Sequence, residues 1–323
     1  MSRLAALWQR RTPLLWPLLP LAALFLAVTT LRRALYRRGL LRSVRLPVPV
    51  VVVGNITVGG TGKTPLLIHL AGELVARGYR VGVVSRGYGG QGGPRPRQVT
   101  PESDPLADGD EPVLIARRCA VPVAVGVDRP AAAQLLVDAG CNLILSDDGL
   151  QHYRLARDVE IAVIDGERGL GNGWPLPAGP LREPPARLAS VDAVVVNGTA
   201  QPGALAMTLV PGRLCRVSDP NDCRALAELA GSRVHAVAGI GHPARFFATL
   251  RRAGLTVVEH PFPDHHPFRA EEIRFGDAGV PVLMTAKDAV KCGSIAGPEH
   301  WYLEVTAQPD PKLVEQLLEA LGS

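Results

Sequence analysis

The chain predicts an α/β architecture: a parallel sheet core with a phosphate-binding loop, a smaller C-terminal α/β lobe, and an N-terminal membrane-associated helix. Three observations carry this expectation. An apolar run, Val50-Val51-Val52-Val53, enters a Gly-rich turn that ends in Gly62-Lys63-Thr64 and opens a helical pattern. Short apolar runs then alternate with helical segments along most of the chain, as in a parallel sheet covered on both faces. Residues 12–31 carry no charge, and arginines flank them on both sides.

The first segment is basic and apolar. Nine arginines (Arg3, Arg10, Arg11, Arg32, Arg33, Arg37, Arg38, Arg42, Arg45) and Lys63 precede Glu73, the first acidic residue. The net charge of +5 therefore resides in this segment, and the remainder is net acidic. A basic arm suits nucleic acid or anionic lipid, and the apolar stretch within it selects lipid. Residues 12–31 approach the roughly 20 residues that a spanning helix needs. Pro13, Pro17 and Pro20 weaken its early part as helix, and arginines on both sides leave the orientation unset. A cleaved signal peptide is disfavoured, because no small-x-small site follows and a second arginine cluster does. Residues 31–45 are amphipathic and basic, which suits lying along headgroups. The five cysteines (Cys119, Cys141, Cys215, Cys223, Cys292) show no CxxC pair and no regular spacing. That argues against a disulfide framework, fits a reducing compartment, and resembles no zinc site.

The loop after Val53 has the layout of an anion site: buried strand, exposed backbone N–H groups, helix N-terminus. Thr57, Val58, Gly59, Gly60, Thr61, Gly62, Lys63 and Thr64 would then hold ATP, with Lys63 at the β- and γ-phosphates and the Thr64 hydroxyl on Mg²⁺. The usual spacing wants glycine where Thr57 stands; Gly59 and Gly60 compensate from inside the loop. The core is thus expected to be P-loop NTPase-like.

Helices are expected over 64–77, 111–118 and 130–139, and strands over 80–85, 122–126, 143–146, 159–164 and 191–196. The Gly/Pro-rich connectors at 86–110 and 166–188 are long enough to suggest function. Past a boundary near 215–232 the alternation restarts, with strands over 234–238, 256–259, 280–285 and 301–305 and helices over 243–252, 269–275 and 312–321. The organisation expected is a membrane-associated segment 1–45, a nucleotide-binding core 46–230 and a C-terminal lobe 231–323. Ligands would sit between the lobes at the carboxyl ends of strands.

Two expected strands end in aspartate, at Asp147-Asp148 and at Asp165. Either could supply a Mg²⁺ carboxylate. The first is favoured because Gly149, Gln151 and His152 concentrate polar groups there, while Asp165 with Gly166 reads better as an Asx turn. Asp110 and Glu111 open a helix, which alone reads as capping; beside a phosphate loop they become a candidate base and a candidate metal-shell ligand. Asp264-His265 in a Pro-bounded loop could orient an imidazole for proton transfer or lie exposed. Lys287 and Lys291 either bind phosphate or line a solvated helix face. Arg86, Arg129 and Arg182 are candidates for gripping a substrate phosphate.

Together these residues resemble the tetraacyldisaccharide 4'-kinase family of lipid A biosynthesis. The resemblance rests on Val50–Asn55 with Gly59–Pro65, Ser85-Arg86-Gly87-Tyr88-Gly89, Gly109-Asp110-Glu111-Pro112, Asp147-Asp148-Gly149-Leu150-Gln151-His152, residues 177–183, Ala238-Gly239-Ile240-Gly241 and Asp264-His265. It covers nearly the whole chain, and the family shares the departure at Thr57. Where the family has Thr-Glu-Lys-Asp, this chain has Thr285-Ala286-Lys287-Asp288. The resemblance implies an ATP- and Mg²⁺-dependent kinase on the cytoplasmic face of a Gram-negative inner membrane. It would phosphorylate the 4'-hydroxyl of an acylated glucosamine disaccharide 1-phosphate to give lipid IVA. It further implies that Asp110 and His265 deprotonate that hydroxyl and that Asp148 and Gln151 lie near Mg²⁺; Thr64 and Glu111 are the other expected metal contacts, and Arg86, Tyr88, Arg129 and Arg182 are expected to meet the substrate. Anionic lipid is an expected partner; nucleic acid is not, and no protein partner is implied. The competing class is a membrane-tethered nucleotide switch, which would need neither the long connectors nor the Asp264-His265 loop.

Overall fold

A computed structural model describes residues 7–200, 202–277 and 279–322; Arg3 of the basic arm lies outside the described residues. The prolines act as expected: Pro13–Leu18 is a 3-10 segment, and helix α1 (Leu19–Arg37) begins beyond it. The combined stretch is long and apolar enough to cross a membrane. Its apolar side chains stay largely uncovered, with Leu14 73% and Leu24 61% exposed. Polar contacts at both ends tie it to the body. Trp8 Nε1 donates to the Pro177 carbonyl (3.1 Å), and Arg33 Nη2 donates to Ser190 Oγ (2.7 Å). The Tyr36 ring packs on Tyr153, centroids 5.9 Å apart.

The body follows in chain order as β1 (Val50–Gly54), α2 (Lys63–Ala76), β2 (Val81–Ser85), β3 (Arg97–Val99), α3 (Pro105–Asp108), α4 (Asp110–Arg118), β4 (Val123–Val125), α5 (Arg129–Asp138), β5 (Leu143–Asp147), β6 (Val159–Asp165), β7 (Ala193–Asn197), β8 (Leu205–Arg216) and β9 (Cys223–Ala225). It continues with β10 (Arg233–Ala238), α6 (Pro243–Arg252), β11 (Thr256–Pro261), α7 (Ala270–Ile273), β12 (Val282–Thr285), α8 (Ala286–Cys292), β13 (His300–Pro309) and α9 (Lys312–Leu321). Among the described residues all thirteen strands join one sheet, ordered β11-β10-β12-β13-β8-β7-β6-β1-β5-β2-β4-β3 with β9 on β8. Pairing is parallel within each lobe except at the edge strands β3 and β9, and antiparallel between β13 and β8.

Strand β1 shows why its sequence is apolar throughout. Val51 and Val53 face one core with Leu66, Leu67 and Leu70 of α2, while Val50 and Val52 face another with Ala132 and Leu136 of α5. Both faces are covered, so no alternation remains to be seen. The lobe built on β10, β11 and β12 repeats this arrangement with α6 on one face and α8 on the other.

The ribbon β8–β13 carries both lobes. The first residues of β8 pair with β7, and the first residues of β13 pair with β12. The boundary expected near residue 230 is therefore a change of lobe without a break in the sheet. Helix α9 also returns to the first lobe, where Leu313, Val314 and Leu317 join the core of α2. Two expectations need correction. The helix expected over 269–275 shrinks to α7, and the cysteines are not all free. Cys215 and Cys223 face each other in register across β8 and β9 and form a disulfide. A hairpin placed them opposite each other, which the sequence spacing did not reveal.

Candidate active site

The phosphate loop is built as the sequence expects. Strand β1 ends at Gly54, and α2 starts at Lys63 with no side chain capping it. Its first backbone N–H groups are thereby left for an anion, at the positive end of the helix dipole. Gly62 has φ +96°, and a Cβ there would meet Asn197 Nδ2 at 2.9 Å and Met207 Cε at 3.1 Å. Only glycine fits. Gly241, from the second lobe, lies so close that a Cβ would meet the Gly60 nitrogen at 2.9 Å. Arg168 donates to the Gly60 carbonyl and pairs with Asp165 (3.1 Å), which also holds Arg245 (2.8 Å). Asp165 Oδ1 accepts from the Glu167 N–H (3.0 Å), so the Asx turn is present.

The acidic pair lies at the end of β5. Lys63 Nζ is 3.7 Å from Asp148 Oδ1, and Arg182 Nη1 is 2.9 Å from Asp148 Oδ2. Burial works against the Asp148 carboxylate, but Lys63, Arg182 and Arg129 hold it well below the usual range. Asp147 is 1% exposed, and burial, then Glu111 and Asp148, push it up to about 7. One oxygen of each, Asp147 Oδ1 and Asp148 Oδ1, is buried without a hydrogen-bond partner. Such hard oxygen donors suit Mg²⁺. Asp147, Asp148 and the Thr64 hydroxyl are the residues that fit it.

Across the cleft the second lobe supplies an imidazole. His265 Nδ1 is 2.9 Å from Asp110 Oδ2 and 3.1 Å from Oδ1. The bond from Asp110 raises the His265 pKa against burial and Lys287. Burial opposes the Asp110 charge, yet the His265 bond and Lys287 hold its pKa below the usual value. The non-glycine residues with positive φ among those described are Asp148 (47°) and His265 (60°). Both strained positions fall on this site. The Tyr88 ring sits edge-on to His265 at 5.3 Å, and Arg86 is exposed on the same connector.

Several expected site residues are placed differently. Arg129 is 3% exposed and lies beneath the site, donating to Ser146 Oγ (3.2 Å) and the Asp148 carbonyl (3.1 Å), so it braces Asp148. Glu111 pairs with Lys287 (2.9 Å), while its charge still acts on Asp147. The Gln151 amide donates to the Asn55 carbonyl (3.0 Å) and Glu183 (2.6 Å), making it a strut. Lys287 and Lys291 line no solvated face, with side chains 15% and 7% exposed. Asp147 was visible in the Asp147-Asp148 pair but passed over for its neighbour. Glu183 carried no local signal.

A glycine-lined anion cradle at the end of a parallel sheet, paired acidic oxygens beside its lysine, and an aspartate–histidine pair closing from a second lobe define a P-loop phosphotransferase. The comparisons agree and narrow the class. The family model for tetraacyldisaccharide-1-P 4'-kinase matches residues 14–322. The chain belongs to that family. A tetraacyldisaccharide 4'-kinase of Alkalilimnicola ehrlichii is 57% identical over 330 residues, covering 100% of this chain and 98% of the relative. One of Aromatoleum aromaticum is 53% identical, covering 98% and 96%. The crystal structure of LpxK from Aquifex aeolicus in complex with ATP superimposes with a TM-score of 0.81 at 28% identity, covering 95% of this chain and 99% of that one.

Proposed function

We propose that this chain is an ATP-dependent kinase that phosphorylates the 4'-hydroxyl of tetraacyldisaccharide 1-phosphate to form lipid IVA, working on the cytoplasmic face of the inner membrane. The observation that carries this reading is the Asp110–His265 bond (2.9 Å), made between lobes beside the phosphate loop. A switch that only binds nucleotide has no use for it. Lys63 and the N-terminal N–H groups of α2 hold the ATP phosphates. Asp147, Asp148 and Thr64 would hold Mg²⁺, whose chemistry is to neutralise charge on the transferring phosphoryl group. Asp110 accepts the sugar hydroxyl proton, and His265 stabilises that carboxylate. A weak carboxylate base suffices because phosphoryl transfer passes through a loose transition state in which the proton leaves late.

Arg86 and Tyr88 border the acceptor side, where Arg182 already meets Asp148. Residues 46–230 supply the ATP site and residues 231–323 supply His265. Helix α1 enters the bilayer, and its flanking arginines meet anionic headgroups. The lipid acceptor is thereby delivered beside Gln151, whose carbonyl accepts from Arg32 (3.3 Å).

Purified protein with γ-labelled ATP and the disaccharide 1-phosphate in mixed micelles should give a bisphosphorylated lipid. Asp110→Ala should keep ATP binding and lose about 10²–10⁴-fold in turnover. ATP hydrolysis indifferent to the lipid would overturn the reading in favour of a switch.

A further inference from the structure

The cluster around His265 contains a cation that phosphoryl transfer does not itself require. Lys287, near the start of α8, has its Nζ 2.9 Å from Glu111 Oε1, 3.2 Å from Asp264 Oδ1 and 3.3 Å from His265 Nε2. Burial disfavours the ammonium, but Glu111, Asp110 and Asp264 keep it charged. The groups facing the imidazole are Asp110 of α4, Lys287 of α8, Asp264 of its own loop and the Tyr88 ring; Lys291 of α8 stands behind Asp110 at 3.9 Å.

An ammonium has three donors and no acceptor. Its contact with Nε2 therefore requires a lone pair there. The single proton of the neutral ring then sits on Nδ1, where it donates to Asp110. We propose that Lys287 is a positioning residue that holds His265 in the Nδ1–H tautomer and so directs the acceptor hydroxyl proton to the Asp110 carboxylate. This rests on the kinase reading above. The hydroxyl O–H bond breaks and its proton goes to an Asp110 oxygen; the electron pair stays on the sugar oxygen, which bonds to the γ-phosphorus of ATP as the bond from that phosphorus to the β,γ-bridging oxygen breaks and ADP leaves with its electron pair. With Nε2 occupied, the ring offers no competing acceptor. Lys287 also links Glu111 of the first lobe to Asp264 of the second.

The test uses the full chain labelled with ¹⁵N-histidine, as wild type, Lys287→Met and Lys287→Arg. In wild type the His265 nitrogen shifts should report the Nδ1–H tautomer. In Lys287→Met the Nε2 lone pair is left open, so the nitrogen shifts should report the doubly protonated ring at a pH where the wild type shows Nδ1–H alone, and kcat should fall about tenfold or more, since a misplaced imidazole proton is costly in such pairs, while the KM for ATP changes less than about twofold. The acid limb of its kcat profile should move to higher pH, because a positive charge beside the ring is gone. Lys287→Arg, still a charged donor, should restore the tautomer and most of kcat. Loss of activity in Lys287→Met with an unchanged tautomer and an unmoved acid limb would reduce Lys287 to a bolt between lobes and overturn the proposal. So would full activity in that variant. A wild type that shows the tautomer but phosphorylates no lipid would refute the kinase reading and leave the clamp standing.

Discussion

Replacing Arg187 by methionine tests the scaffold under the acidic pair. Its side chain is 1% exposed in the 3-10 segment Pro185–Ser190. It reaches Glu160 (2.6 Å), Glu183 (3.1 Å) and Ser190 Oγ (3.0 Å). Removing one partner of a buried ion pair costs about 3–5 kcal/mol, because the other charge is left uncompensated. Here the two carboxylates differ. Glu160 keeps Arg157 at 2.9 Å, while Glu183 keeps only the neutral donors Gln151 and Tyr153, each at 2.6 Å. One uncompensated carboxylate places the loss near the lower end, about 3 kcal/mol. Urea unfolding in detergent should show it as a lower midpoint with an unchanged slope. Adding Glu183→Gln removes the stranded charge, so the double variant should recover roughly 1–2 kcal/mol. A loss under about 1 kcal/mol, or strictly additive single effects, would refute the account of a charge-dependent scaffold.

Gly62→Ala should abolish stabilisation by ATP in thermal unfolding, since its Cβ would strike Asn197 and its backbone is left-handed; retained ATP binding would show that the loop can re-form. Catalysis requires neutral His265, whose pKa is raised above 6.5 by the Asp110 bond. Turnover should therefore fall as pH drops through a value above 6.5, and an acid limb at or below it would contradict the pairing. The same bond gives stability that is present below pH 6.5 and lost as pH rises through the raised value. Leu24→Asp with Val28→Asp should release the chain from anionic vesicles in flotation, because both side chains are exposed on α1; undiminished flotation would mean that α1 does not enter the bilayer.

The parts of this molecule that could be read from the chain are those fixed by local pattern. Strand β1, the turn after it and helix α2 declare themselves because a doubly covered strand is uniformly apolar and the loop must be glycine-rich. Strand β8 does not, because its middle is exposed and holds Pro211 and Gly212. It is held along its length by pairing to β13, and its buried residues, Met207, Leu214 and Cys215, fall towards its two ends. The connector at 86–110 hid β3 and α3 for a similar reason: both are short. Asp110 and His265 each stand out within their own motifs, but only the family resemblance pairs them. Their bond joins residues 155 positions apart, and that of Lys287 with Glu111 joins residues 176 apart. No periodicity carries such information. The burial of Arg129 was not legible, because an arginine opening a helix after a strand has the same local context whether it faces outward or lies under Asp148.

The return of α9 to the first lobe has a consequence for how the protein comes to be. Leu313, Val314 and Leu317 complete the apolar wall against which Leu66, Leu67 and Leu70 of α2 rest. Between the two helices the whole second lobe is synthesised, which at ribosomal speeds takes on the order of ten seconds or more. During that interval the helix that begins at Lys63 has an open flank. The wall behind the phosphate loop is thus among the last parts of the molecule to be completed, although the strand that leads into that loop is among the first to be made.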